Sequence, residues 1–132
     1  MAEAYHRMTA ETNRGPIGRM LEHANALWPL GEAIGILDDG CGPGPIMARI
    51  IDEYGGAVPP SCTLACTDLS DGMVEWVRKR KDEAVRVDRD SVWQRVECFK
   101  QDAMDLERVG DESLSHVFAG WVREVPSLIL KG

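Results

Sequence analysis

The sequence predicts an α/β fold built on a mainly parallel sheet. Three observations predict it. Segments that read as strands alternate with segments of helical periodicity. A glycine-rich turn, Gly40-Cys41-Gly42-Pro43-Gly44, joins the first strand to a helix, and an acidic residue, Asp68, closes the second strand. Strand–helix–strand repeats of this kind run their strands parallel and pack the helices on the sheet.

Residues 1–33 read as a helical lead-in and residues 34–132 as the alternating domain. In the lead-in, Ile17, Met20, Leu21, Ala24 and Leu27 recur at helical spacing. Pro16 suits the first turn of that helix, and Pro29 and Gly31 end it. The first strand is Gly35–Asp38. After the glycine turn, Pro45 opens a helix whose buried side is Ile46, Met47, Ile50, Ile51 and Tyr54, and Gly55-Gly56 stop it. Thr63–Thr67 reads as a buried strand. Ser70 or Asp71 caps the next helix, which carries Met73, Val74, Trp76 and Val77. That helix is expected to end in Arg78-Lys79-Arg80-Lys81, a basic run read as a solvated end that complements the helix dipole rather than as a nucleic-acid patch. A third strand fits within Val92–Lys100 and a fourth fits His116–Trp121.

Composition narrows the function. The 132 residues are one domain's worth, and 44% are apolar, which is ordinary for a globular chain. The net charge of −7 argues against a phosphate-binding surface, so no nucleic-acid partner is expected. No apolar run approaches the roughly 18–20 residues that span a bilayer. The segment Met1–Arg14 lacks the apolar core of a secretion signal, so no membrane partner and a cytoplasmic address are expected. Cys41, Cys62, Cys66 and Cys98 form no C-x-x-C pair, which fits reduced structural thiols and no metal site.

The chemistry is expected at the glycine turn. Glycine lets the backbone turn sharply and lets a ligand approach main-chain N–H groups, while the following helix adds partial positive charge. A dinucleotide site wants G-x-G-x-x-G or A, but the third position falls on Pro45. The pattern here is G-x-G-x-G, with Gly40, Gly42 and Gly44, which accommodates an amino-acid moiety rather than a pyrophosphate. A carboxylate at Asp68 can accept from both ribose hydroxyls of an adenosine. Its competing reading is a simple helix cap. Asp102, after the third strand, can accept from an adenine amine.

With these residues in place, the chain resembles the class I S-adenosylmethionine-dependent methyltransferases, in particular the small-molecule type. Ile36-Leu37-Asp38-Asp39-Gly40-Cys41-Gly42-Pro43-Gly44 is similar to their first motif, and Cys66-Thr67-Asp68-Leu69-Ser70-Asp71-Gly72-Met73 to their second. Lys100–Leu106 resembles the third and Ser113–Trp121 the fourth. The resemblance implies a Rossmann-like three-layer sandwich, of which this chain is the N-terminal half, and S-adenosyl-L-methionine as cofactor. It implies that Gly40, Cys41, Gly42 and Gly44 face the methionine part, with Asp38 helping to hold its amino group. It gives Asp68 the ribose, Leu69 and Met73 the adenine face, Asp102 and Ala103 the adenine edge, and Ala119 and Gly120 main-chain contacts near the amino-acid end. Methyl transfer to a small-molecule acceptor follows, with Tyr5, His6 and Trp121 as acceptor-side candidates and no residue singled out as catalytic base. His116 reads as structural and His23 as a surface residue.

The chain departs from the pattern in places. Asp39 stands where an apolar residue is usual, Ser115 where the fourth motif has an acid, and Leu114 where it has an aromatic. The family sheet has seven strands, and this sequence ends soon after the fourth. Ser127–Gly132 reads as the beginning, or a shortened remnant, of the rest. The fourth strand is then expected to be an open edge, covered by a second copy or a partner protein, the alternative being that the chain is a fragment of a longer enzyme. Two other readings stand beside the enzyme: a non-catalytic cofactor-binding fragment or partner subunit of a methyltransferase complex, and a nicotinamide-dependent oxidoreductase, against which Pro45 argues.

Overall fold

The computed structural model describes residues 2–100, 114–122 and 125–130, with side chains over 15–100 and 114–119. Its centre is a five-stranded sheet in the order β3-β2-β1-β4-β5. The strands are β1 (Gly35–Asp39), β2 (Thr63–Asp68), β3 (Val96–Lys100), β4 (His116–Val122) and β5 (Val125–Leu130), and the helices are α1 (Ala2–Leu27), α2 (Pro45–Tyr54) and α3 (Asp71–Val87). β1 pairs in parallel with β2 and β4, and β2 with β3. This is the expected Rossmann-like α/β arrangement, with the first strand central.

Side chains alternate across the strands and divide the core in two. Ile36, Leu64, Cys66, Val96 and Phe118 share a face with Ile17 and Leu21 of α1, Met47 and Ile50 of α2 and Val77 of α3. The opposite face carries Leu37, Ala65, Leu114 and Val117, with Phe99 packed against them. All three helices therefore sit on one side of the sheet among the described residues.

Four local expectations need correction. Pro16 does not open its helix: α1 begins at Ala2 and carries Pro16 inside it. Proline's fixed φ is compatible with the helix, so it removes one backbone hydrogen bond without starting a new element. The basic run Arg78–Lys81 does not end α3, which continues to Val87 because Ala84 and Val85 still pack on the core. Nor is that run merely solvated. Arg78 donates to the Cys98 carbonyl (2.9 Å), Lys81 to the Val96 carbonyl (2.6 Å) and Arg80 to the Gly44 carbonyl (3.2 Å). Finally, β4 is not an open edge. β5 lies beside it antiparallel, from His116↔Leu130 to Val122↔Val125, with an irregularity between Ala119 and Val122. Only two residues separate the strands, too few for a parallel crossover.

Candidate functional site

The C-terminal ends of β1, β2 and β4 meet at the glycine turn, the place where open α/β sheets bind ligands. Gly40, Gly42 and Gly44 all have positive φ (70°, 56° and 85°). Gly44 is also the N-cap of α2, and Pro45 follows in the first turn, where no N–H is needed. A methyl group at Gly44 would stand 2.8 Å from Val77 Cγ2, so the turn is pressed against α3.

Two bonds tie the turn to β2. The Cys41 amide donates to the Thr67 carbonyl (2.8 Å), and the Gly42 amide to Asp68 Oδ2 (2.9 Å). Asp68 Oδ1 accepts from the Ser70 amide (2.8 Å). The helix cap is supplied by Ser70, whose hydroxyl accepts from the Met73 amide, so Asp68 is not spent on capping α3. An ionised carboxylate has about four lone-pair positions, and these two bonds use one on each oxygen. The carboxylate can therefore still accept a pair of hydroxyls. Beside it Leu69 is 59% exposed, an apolar side chain that an aromatic ring could cover, and Met73 is half-buried one turn into α3.

Asp38 is different. It is fully buried, and neither carboxylate oxygen has a hydrogen-bonding partner. Burial pushes its pKa up to about 7 from the ordinary 3.8. The Met47 amide is near enough to oppose this without reaching hydrogen-bond geometry, and the charges of Asp39 and Asp68 reinforce it. Asp39 points to the other face of the sheet, where it accepts from the Thr67 hydroxyl (2.8 Å). The Cys41 thiol donates to the Gly42 carbonyl (3.3 Å), Cys66 is buried in register with Asp38, and both thiols have raised pKa values. These are inert thiols, since the thiolate is the reactive form. Among the described residues, no group of three His, Cys, Asp or Glu is arranged to hold a metal.

The structure thus brings Asp38, Gly40, Cys41, Gly42, Gly44, Asp68, Leu69 and Met73 to one end of the sheet. Ala119 is aligned with Asp39 on β4, and Gly120 follows it. Asp102 and Ala103 lie outside the described residues, as do the side chains of Tyr5, His6 and Trp121. Sequence reasoning missed Arg80, which braces the turn from α3. A signal existed: Val74, Val77, Arg80 or Lys81, and Ala84 follow the buried spacing of that helix. A groove of about 780 Å³ elsewhere on the surface, between α2 and α3, is lined by Ile51, Trp76, Arg80, Val87 and Trp93. None of the candidate cofactor residues lines it.

Fold and turn together make a Rossmann-like α/β unit with the candidate cofactor residues gathered at the C-terminal ends of its strands. Over 119 residues the chain is 43% identical to "Methyltransferase ucsB" of an Acremonium species, a match that takes in 90% of this chain. The chain spans 41% of that relative's length. Among solved structures, an RNA methyltransferase from Salinibacter ruber in complex with S-adenosyl-L-homocysteine aligns with a TM-score of 0.48 and 18% identity, over 76% of this chain and 73% of that one. No protein-family profile matches the chain.

Proposed function

We propose that the chain binds S-adenosyl-L-methionine at the glycine turn and serves methyl transfer to a small-molecule acceptor. The observation that carries this reading is the docking of Asp68 on the Gly42 amide, with acceptor capacity left on both oxygens. That geometry sets a carboxylate able to accept ribose hydroxyls beside exposed Leu69 and the glycine turn. The bound cofactor supplies a methyl group on a sulfonium, which needs little further activation. The chain's own work is to bind and orient, and in-line positioning of the acceptor is the main source of rate. Asp68 fixes the ribose, Leu69 and Met73 the adenine face, Asp102 and Ala103 its edge, and the backbone of Gly40–Gly44 with Ala119 and Gly120 the amino-acid end. Tyr5, His6 and Trp121 are the acceptor-side residues of this reading.

A small acceptor fits the net charge of −7 better than a polyanion does. The free thiols of Cys41, Cys62, Cys66 and Cys98 suit a reducing compartment such as the cytoplasm. Among the described residues β5 is one of the two edge strands, with β3, and offers a place where a second copy or a partner protein would pair. The second reading is that the chain is a non-catalytic cofactor-binding part of a methyltransferase complex.

Calorimetric titration with S-adenosylhomocysteine tests the cofactor site. Binding is expected, and Asp68→Ala should weaken it at least tenfold while leaving the fold intact by circular dichroism. A folded chain that binds nothing would sink the first reading. Binding without turnover of any acceptor would favour the second.

A further inference from the structure

The carboxyl group of Asp38 is the one feature of the turn that the binding reading leaves without a partner. It lies wholly out of solvent on the helix side of β1, with no donor on either oxygen. Its surroundings can be listed element by element. β1 itself contributes Asp39, on the opposite face. The turn contributes the Cys41 thiol, and β2 contributes Cys66, in register with Asp38, and Asp68 at its end. β3 brings Cys98 beyond Cys66. β4 brings Phe118, in register on the other side, with His116 stacked behind it. The first turn of α2 carries no acid and buries Ile46 and Met47, while α1 brings Ile17 and Leu21 to the same core. From α3 comes Arg80, which spends a hydrogen bond on the Gly44 carbonyl. The side chains around Asp38 on these elements are acids, thiols and apolar groups, and the Met47 amide at the start of α2 is the donor nearest to serving it without forming a hydrogen bond.

A buried carboxylate without donors is costly, and the group neutralises instead. We infer that cofactor binding at the glycine turn is linked to loss of a proton from Asp38, the empty chain holding the carboxyl protonated and the cationic cofactor binding against the carboxylate. This rests on the cofactor reading above. The chemistry balances simply: one proton passes from the Asp38 carboxyl to solvent as one cofactor, bearing an ammonium and a sulfonium, enters beside it. Asp38 then acts as a positioning residue through its charge, not by contact. Burial, opposed by the Met47 amide and reinforced by Asp39 and Asp68, places its titration near pH 7.

The test is calorimetric titration of the chain with S-adenosylmethionine between about pH 5.5 and 7.5, in two buffers of different ionisation enthalpy. This window lies below the roughly 7.7–8.0 at which an α-amino group titrates. Affinity should rise with pH, by up to tenfold per unit, and level off near pH 7. At about pH 6, close to one proton should be released per cofactor bound, and Asp38→Asn should remove both effects. Binding with a flat pH profile and no proton release would overturn the linkage and leave the cofactor reading standing. A slope that persists in Asp38→Asn would do the same. Failure to bind at any pH would overturn both. An independent measurement needs no ligand: among carboxyl carbons followed by NMR in the empty chain, one should titrate near pH 7 and be missing from Asp38→Asn. Its absence from the wild-type spectrum would count against the proposal.

Discussion

The two ends of the sheet treat buried polar groups in opposite ways. At the N-terminal ends of β1 and β4, every polar contact closes. Buried His116 lies 2.9 Å through Nε2 from the Trp28 carbonyl and 2.8 Å through Nδ1 from Ser115 Oγ. A carbonyl only accepts, so Nε2 carries the proton and Nδ1 takes the Ser115 hydroxyl proton. Ser115 Oγ in turn accepts from the Ile34 amide (2.9 Å). This cluster pins the end of α1 to the sheet. At the C-terminal ends stand three positive-φ glycines and three acids, of which one, Asp38, has no partner. The lower end spends its polar groups on stability. The upper end carries polar cost that the fold alone does not repay, and that is the end at which a ligand is expected.

Three substitutions would break or sharpen this contrast. The largest effect is expected from Gly44→Ala. The left-handed backbone costs a side chain roughly 1–2 kcal/mol, and the 2.8 Å approach to Val77 adds roughly 1–3 kcal/mol of overpacking. Urea unfolding should show a loss of about 2–5 kcal/mol. Adding Val77→Ala should relieve the clash and leave the backbone part.

Asp38→Asn should act in the other direction. Because the folded pKa is raised from 3.8 to about 7, this group's contribution to stability is fully present below pH 3.8 and is lost as pH rises to 7. At 1.36 kcal/mol per unit, the variant should gain about 2–3 kcal/mol on the wild type between pH 5 and 7. Chemical denaturation at the two pH values reads it, and equal gains at both would contradict the assignment.

His116→Phe is expected to have the smallest effect and the opposite pH sign. Burial lowers the His116 pKa below 6.5, with the Trp28 carbonyl opposing, so its contribution is present above pH 6.5 and is lost as pH falls below that. The variant leaves the Trp28 carbonyl and the Ser115 hydroxyl without their ring partner, at a cost of about 1–3 kcal/mol near pH 7.5. That cost should shrink toward pH 5, as thermal melts at the two values would show.

Much of the upper end was legible in the sequence. The glycine turn, Pro45 and the acid closing β2 are local signals with local causes, and each fell where expected. The strands β1 and β4 and the start of α3 were equally readable. What failed was whatever depended on neighbours. β5 carries the apolar residues of a strand, but its direction was set by the shortness of the link to β4, not by its own pattern. The basic run looked like a helix end because charge was read without the helix face on which Arg80 and Lys81 lie. Asp38 could be placed from its motif, but its burial without a donor is a tertiary fact. The roles of Asp102, Ala103, Tyr5, His6 and Trp121 rest on the resemblance.

The mooring of α3 makes adjacent, chemically alike residues unequal. Lys79 is exposed, whereas the neighbouring Lys81 amine is held 2.6 Å from the Val96 carbonyl. An acylating reagent or an acetyltransferase would meet Lys79 first. Neutralising Lys81 would weaken one of the side-chain ties of the helix to β3, leaving that of Arg78, while the same mark on Lys79 would change only the surface charge.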